Sequence, residues 1–381
     1  MAPSAEIDKA DSTATYEVVR KSLVTKPIEL KNIITREGTG KLMSEESGAG
    51  QLVHPSIVML EKSWMGSKCW LAADPYPYGN SSHENPTLYQ CKDSITLIEP
   101  LGLKNPLLPT PSTGYNSDVN LVYDESAKGL FMSNRVVRMD SNLVRGAESV
   151  DGKAFGSQQS VVSGMSHTLI SQSVTYGPDG VPKLYTVNSG GAGCSAKSTR
   201  VEVWRPMNFV AGIRLKDVVW DLPAEAKIVQ PGYVVWHEEV RWIPSLHLYL
   251  AIFAAYPEKS GGCGNDDLFL ATSEDGLSFT TYPVPLMWRD NPWMPVTSVY
   301  KSTFVYDEAR GLLLVWPSVL KKVVHLKGGD WRLWYMAYKW SPLITGLNTE
   351  LRVNGFSRVA YRRLLIPDTS REKQLKGLIM P

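Results

Sequence analysis

Cysteine is scarce in this chain, and its few copies follow no metal-binding pattern. The 381 residues hold four, Cys69, Cys91, Cys194 and Cys263, with no CxxC spacing and no paired histidine motif beside them. Structural zinc modules need thiolate or imidazole ligands at short, regular spacings, so no metal site is expected on this ground. Cys69 lies in an apolar run and reads as a small buried hydrophobe. No run approaches the roughly 18 apolar residues of a membrane-spanning helix, and membrane insertion is not expected. The first residues, Met1-Ala2-Pro3-Ser4-Ala5-Glu6-Ile7-Asp8, lack the basic and apolar regions of a secretory signal, which points to a protein made in the cytoplasm. An excess of one charge is also missing. Forty Lys and Arg face 38 Asp and Glu, a formal net charge of +2, too even a balance to imply a nucleic-acid partner. A sustained helical period is absent, which leaves an all-β class.

What the chain does have is one sentence written five times. Its clearest copy is His237-Glu238-Glu239-Val240-Arg241-Trp242, followed after a turn by Leu248-Tyr249-Leu250-Ala251-Ile252-Phe253. This is a polar head, a short strand, a turn and a more apolar strand, rich in β-branched and aromatic residues. With Met59, Tyr123, Tyr176, Trp242 and Tyr306 as register marks, counting back five places gives His54, Asp118, Ser171, His237 and Lys301. The heads are spaced by 64, 53, 66 and 64 residues, enough for one four-stranded sheet each. Five such units predict a five-bladed β-propeller over residues 51–345. The 30 Gly and 25 Pro are dispersed between these runs as turn punctuation.

Residues 1–50 are polar and read as an N-terminal arm that wraps or docks, with a strand from either terminus available to complete the last blade. Residues 346–381 read as a C-terminal strap. Ser273-Glu274-Asp275-Gly276-Leu277-Ser278-Phe279 is a turn motif, with a worn copy at Cys91 to Leu97, in which Asp caps its own turn and Gly takes the positive φ. The Gly-rich stretch Ser189-Gly190-Gly191-Ala192-Gly193 has no following helix or Lys-Ser pair, which argues against a phosphate loop.

The five heads, the Asn85-Pro86 after the first hairpin, Tyr115-Asn116-Ser117-Asp118, Trp236-His237 and Tyr300-Lys301-Ser302-Thr303-Phe304 together resemble the arabinanase and levansucrase type of five-bladed propeller. More narrowly, they resemble glycosidase-like propellers found in bacteria and in bacteriophage tails. The resemblance covers about residues 52–345. It implies three carboxylates at the heads of blades one, two and three, acting as base, tuning acid and general acid. An inverting pair would stand roughly 6.5–9.5 Å apart. Those places hold His54, Asp118 and Ser171 here, so only the middle one keeps its carboxylate. A serine hydroxyl is too weak an acid to protonate a leaving oxygen.

Two readings follow. The first is a non-catalytic, glycosidase-like virion protein of a phage tail or capsid, docked to other virion proteins by its arm. Its polar groups His54, Asp118, His237, Glu239 and Lys301, with Tyr76 and Tyr78 for stacking on sugar faces, would recognise a cell-surface glycan. The alternative is a glycoside hydrolase using Asp118 with Glu239 or Glu84 as its acid and base. No cofactor is expected, and whether the heads surround water or a structural ion in a central channel stays open.

Overall fold

The computed structural model describes residues 17–30, 32–34, 51–221, 223–289, 296–321 and 329–353. Twenty-one strands in five sheets build it, with successive strands antiparallel within each sheet. Blade one holds β3 (Leu52–Trp64), β4 (Ser67–Pro75), β5 (Thr87–Cys91) and β6 (Thr96–Ile98), with β2 (Asn32–Ile34) added in parallel at its edge. Blade two is β7 (Tyr115–Asp124), β8 (Gly129–Val137), β9 (Ser141–Ser149) and β10 (Gln159–Met165). Blade three is β11 (Ile170–Tyr176), β12 (Pro182–Asn188), β13 (Arg200–Trp204) and β14 (Ala224–Ala226), and blade four is β15 (Tyr233–Ile243), β16 (Leu248–Pro257), β17 (Asp267–Ser273) and β18 (Thr280–Thr281). Blade five is β19 (Val296–Asp307), β20 (Leu312–Lys321) and β21 (Asp330–Lys339). Its outer strand is β1 (Leu23–Glu29), which pairs with β21 and so fastens the start of the chain to the last blade. Each innermost strand packs on the next, and β19 packs on β3, closing a five-bladed propeller.

Both faces of a blade are covered by its neighbours, so the second strands are apolar almost without alternation. In β16 every residue from Leu248 to Tyr256 is buried. Tyr185, Val201, Phe253 and Phe269 fill the space between blades three and four; Leu250, Leu270, Phe304 and Val315 fill that between four and five.

The turn motif occurs three times among the described residues, twice as Ser-x-Asp-Gly and once as Cys91-Lys92-Asp93-Ser94. Asp275 Oδ1 accepts the backbone N–H groups of Leu277 and Ser278, and Asp93 does the same for Ile95 and Thr96. Asp151, in the copy Ser149-Val150-Asp151-Gly152 that the sequence reading passed over, accepts from Lys153 and Ala154.

Three features depart from expectation. Cys69 is not a lone hydrophobe: Trp70 lies opposite Gln90 across β4 and β5, which brings Cys69 to Cys91 in a disulfide. Cys194 and Cys263 form a second, joining the loop after β12 to the loop after β16. A helix, α1 (Trp340–Val353), follows β21 and buries Leu343, Ile344 and Leu347 against Val19. The rest of the expected arm and strap, residues 1–16, 35–50 and 354–381, lies outside the described residues.

Candidate active site

The innermost strands carry an extra residue at the head, seen as a register shift in each of the five. In β3, β7 and β11 the head itself takes a left-handed conformation, with φ of 51° at His54, 53° at Asp118 and 54° at Ser171. Such a bulge costs about 1–3 kcal/mol at a non-glycine residue and re-aims its side chain. Here it turns His54 and Asp118 toward the axis.

There they meet His237 from β15. His54 Nε2 is 3.4 Å and His237 Nδ1 is 3.6 Å from the same oxygen, Asp118 Oδ1. The other face of the His54 ring is held from blade one, with Nδ1 3.3 Å from Asp74 Oδ2 and 3.5 Å from Glu84 Oε2. Arg135, from β8, makes a 2.8 Å ion pair with Asp118 Oδ2, which also accepts the Ser171 N–H at 3.0 Å. Lys301 Nζ donates to the carbonyl of Val119 at 3.3 Å. The Tyr300 ring lies 4.2 Å from that of His237, and its hydroxyl accepts a hydrogen bond from Trp236 Nε1. Of these side chains Tyr300 is half-buried and the rest are buried.

Burial by itself would raise the Asp118 carboxyl, but Arg135 and the other cations around it outweigh burial and hold it well below the usual carboxylate range. Burial pushes Glu84 well above that range, and the neighbouring Asp74 charge adds to the effect. Asp74 is raised by burial and only partly brought back by His54. The His237 imidazole is driven well below its ordinary value by burial, so it is neutral and free to ligate.

The site leaves polar atoms without hydrogen-bond partners, and they converge: His54 Nε2, Asp118 Oδ1 and both ring nitrogens of His237. Buried orphans of this kind need an explanation. The ligand atoms of His54, Asp118 and His237 all lie within 4.8 Å of one another, as do those of His54, Asp74 and Glu84. Ligands about 2.0–2.2 Å from a divalent cation in tetrahedral array stand roughly 3.3–3.6 Å apart, which the two distances to Asp118 match. Asp74 on the second nitrogen of His54 is the outer partner that a metal-bound histidine ordinarily has.

The structure thus brings together His54, Asp118, His237 and Glu84, with Lys301 below them. Tyr76 joins their rim, its ring 5.5 Å from that of Trp331, which in turn stands 5.2 Å from Tyr300. Glu239 is not brought to Asp118. Its carboxylate is bound by Arg241 Nε at 2.6 Å and by the Thr303 hydroxyl at 2.9 Å, further down the channel. Tyr78 is 46% exposed on the loop, held through its backbone by Gln51. Ser171 spends its hydroxyl on the carbonyl of Glu238. Asp74, Arg135 and Tyr300 were missed in the sequence. A charge within the buried stretch of strands β4 and β8 was the signal available for the first two.

Comparison with known proteins fits a five-bladed propeller of glycosidase-like fold. No family model matches the chain. The fold resembles that of a thermostable family-43 glycoside hydrolase (TM-score 0.50, 13% identity, 75% of this chain and 88% of that one) and of a GH62 hydrolase in complex with xylotriose (0.53, 10%, 82% and 97%). It resembles more strongly an N-acetylgalactosamine deacetylase from F. plautii, solved in complex with blood group B trisaccharide, with a TM-score of 0.73 at 20% identity over 88% of this chain and all of that one. In sequence, the chain is 24% identical over 376 residues to an A type blood N-acetyl-alpha-D-galactosamine deacetylase of Flavonifractor plautii. The match takes in 81% of this chain and 47% of that protein, so the chain spans about half the length of its curated relative. These findings support the glycosidase-like part of the resemblance and not the bacteriophage part. They overturn the expectation of a non-catalytic virion attachment protein, because the similarity lies with a deacetylase.

Proposed function

We propose that this chain is a carbohydrate-active enzyme that removes the N-acetyl group of an amino sugar, with a divalent cation held by His54, Asp118 and His237. One observation carries the reading. Two imidazoles and an ionised carboxylate converge on a shared point at the place where a glycosidase would need a separated acid and base. The similarity to an N-acetylgalactosamine deacetylase supports the same choice of bond.

A divalent cation at this point supplies polarisation of an amide carbonyl and a more acidic water. The remaining work falls to the chain. Asp74 fixes the tautomer and orientation of His54, and Arg135 keeps Asp118 ionised. Glu84, whose carboxyl burial raises and whose Oε2 makes no hydrogen bond but stands 3.5 Å from His54 Nδ1, is the group assigned the proton transfer. Tyr300 stays a neutral phenol, since burial pushes it far up, and closes the pocket beside both histidines. Tyr76, half-buried at the rim and backed by the buried Trp331, offers its ring to a sugar. The partner is a glycan, and the two disulfides support a site of action in an oxidising compartment outside the cytoplasm.

The test is incubation with a panel of N-acetylated oligosaccharides, following acetate and new amine separately from new reducing ends. Acetate release that falls about 10²–10⁴-fold in Glu84→Gln is expected, with the protein still folded. Reducing ends without acetate would replace this reading by glycoside hydrolysis.

A further inference from the structure

A second polar cleft opens beside the active site, on blade two. Its volume is about 340 Å³, and the loop of residues 108–113 lines it together with Asn116, Arg138, Arg145 and Gln158. It is joined to the site by a ladder of side-chain amides. Gln158 Nε2 donates to Asn134 Oδ1 at 2.6 Å, Asn134 Nδ2 to Asn116 Oδ1 at 3.3 Å, and Asn116 Nδ2 to Asn85 Oδ1 at 3.0 Å. Asn85 follows Glu84 in the chain and donates on to the carbonyl of Leu108, in the cleft wall, at 2.7 Å. Three of these four amides are buried, so the cleft has a fixed floor that continues into the loop carrying Glu84.

The charge of this cleft is one-sided. No Asp or Glu is among its lining residues, which include two guanidinium groups. Among the described residues, neither Arg138 nor Arg145 has an ion pair. Arg145 lies opposite Asn134 across β8 and β9, on the same face of the sheet as the ladder. Arg138 is exposed and Arg145 half-buried, so both guanidinium groups can be reached from solvent, and the planar fork of Arg matches a carboxylate or sulfate with two hydrogen bonds. Thr110, Ser112 and Thr113 add hydroxyls to the lining.

We infer that this cleft is a subsite for an anionic group on the glycan, a sugar carboxylate or a sulfate ester, carried next to the acetylated residue. The inference rests on the proposed deacetylase reading for the position of the sugar. The anion binds through Arg138 and Arg145, and the enzyme therefore prefers acidic over neutral glycans.

Direct binding tests this apart from turnover. Calorimetry on the full chain compares matched disaccharides of an N-acetylated amino sugar: neutral, sulfated, or joined to a uronic acid. At least one anionic ligand is expected to bind about tenfold or more tighter than the neutral one, with the advantage shrinking as salt is added. The sulfated and uronic arms identify which anion is read. In Arg138→Ala/Arg145→Ala the advantage falls to parity, and in Arg138→Lys/Arg145→Lys part of it returns. Equal affinities in the wild type, or an advantage that survives the double alanine variant, would overturn the inference. An arginine-dependent advantage without acetate release would leave the subsite standing and remove the deacetylase reading. Acetate release with no anionic advantage does the reverse.

Discussion

Asp74 and Asp118 grip opposite nitrogens of one imidazole: Asp74 Oδ2 stands 3.3 Å from His54 Nδ1, and Asp118 Oδ1 stands 3.4 Å from His54 Nε2. The two carboxylates are both fully buried, yet their surroundings drive them in opposite directions. Burial raises Asp74, while Arg135 and its companions overcome burial and keep Asp118 ionised. Asp118 is thereby suited to ligate and Asp74 to orient.

A difference in metal dependence follows. Asp118→Asn removes a ligand and is expected to abolish both bound metal and acetate release. Asp74→Asn leaves the ligand set intact but loosens His54, lowering metal affinity about 10–100-fold. Metal content after dialysis, followed by activity on titrating the divalent ion back, separates the two: the Asp74 variant recovers at high metal and the Asp118 variant does not. Equal recovery in both would show that Asp118 is no ligand.

The propeller and its five heads were legible because a blade repeats its polar start and apolar second strand at nearly constant spacing. His54, Asp118, His237 and Lys301 were reached in this way, through register alone. The proposed metal set was not legible as such. Its ligands come from three blades, and spacing motifs reveal only ligands that share a turn or hairpin. Glu84 rides on a loop whose path has no period, so its return to His54 had no more support in the sequence than the approach of Glu239, which Arg241 captures instead. Cys69 and Cys91 become partners only when the register of β4 and β5 is known.

That capture of Glu239 carries its own expectation. The Arg241 guanidinium pairs with Glu239 and reaches across the axis to the carbonyl of Ile57 at 2.6 Å and the hydroxyl of Thr303 at 3.3 Å, linking blades four, one and five. Arg241→Ala strands a buried carboxylate and is expected to cost about 3–5 kcal/mol of unfolding free energy, part of which returns when Glu239→Gln is added. Glu239→Gln alone leaves acetate release nearly unchanged, since the carboxylate is engaged by Arg241 and Thr303. A loss of two orders of magnitude in that variant would restore Glu239 to the chemistry.

The two disulfides close loops of different length, with sequence separations of 69 for Cys194–Cys263 and 22 for Cys69–Cys91. The longer loop restricts the unfolded chain more. Replacing Cys194 and Cys263 by Ser is expected to cost about 4 kcal/mol, against about 3 kcal/mol for Cys69 and Cys91. Urea unfolding of the two double variants measures the order, and thiol titration of the denatured wild type should find no free cysteine among the four. The reverse order would show that strand pairing, which already holds Cys69 to Cys91, governs the loss.

Asp266 gives a pH dependence of stability that is independent of the active-site ligands. It is fully buried, its Oδ2 accepts from Gly264 N–H at 3.0 Å and from the Ser298 hydroxyl at 3.1 Å, and its Oδ1 has no partner. Burial pushes this carboxyl up to about 7 against an ordinary value of 3.8. Between those values the folded chain keeps a proton that the unfolded chain has released. Stability from this group is thus complete below about pH 4 and is lost as pH rises toward 7. Asp266→Asn keeps an acceptor oxygen and cannot ionise. Urea unfolding at pH 5 and pH 8 is expected to show the wild type losing about 2–3 kcal/mol more than the variant over that interval, and parallel curves would mean that Asp266 titrates alike in both states.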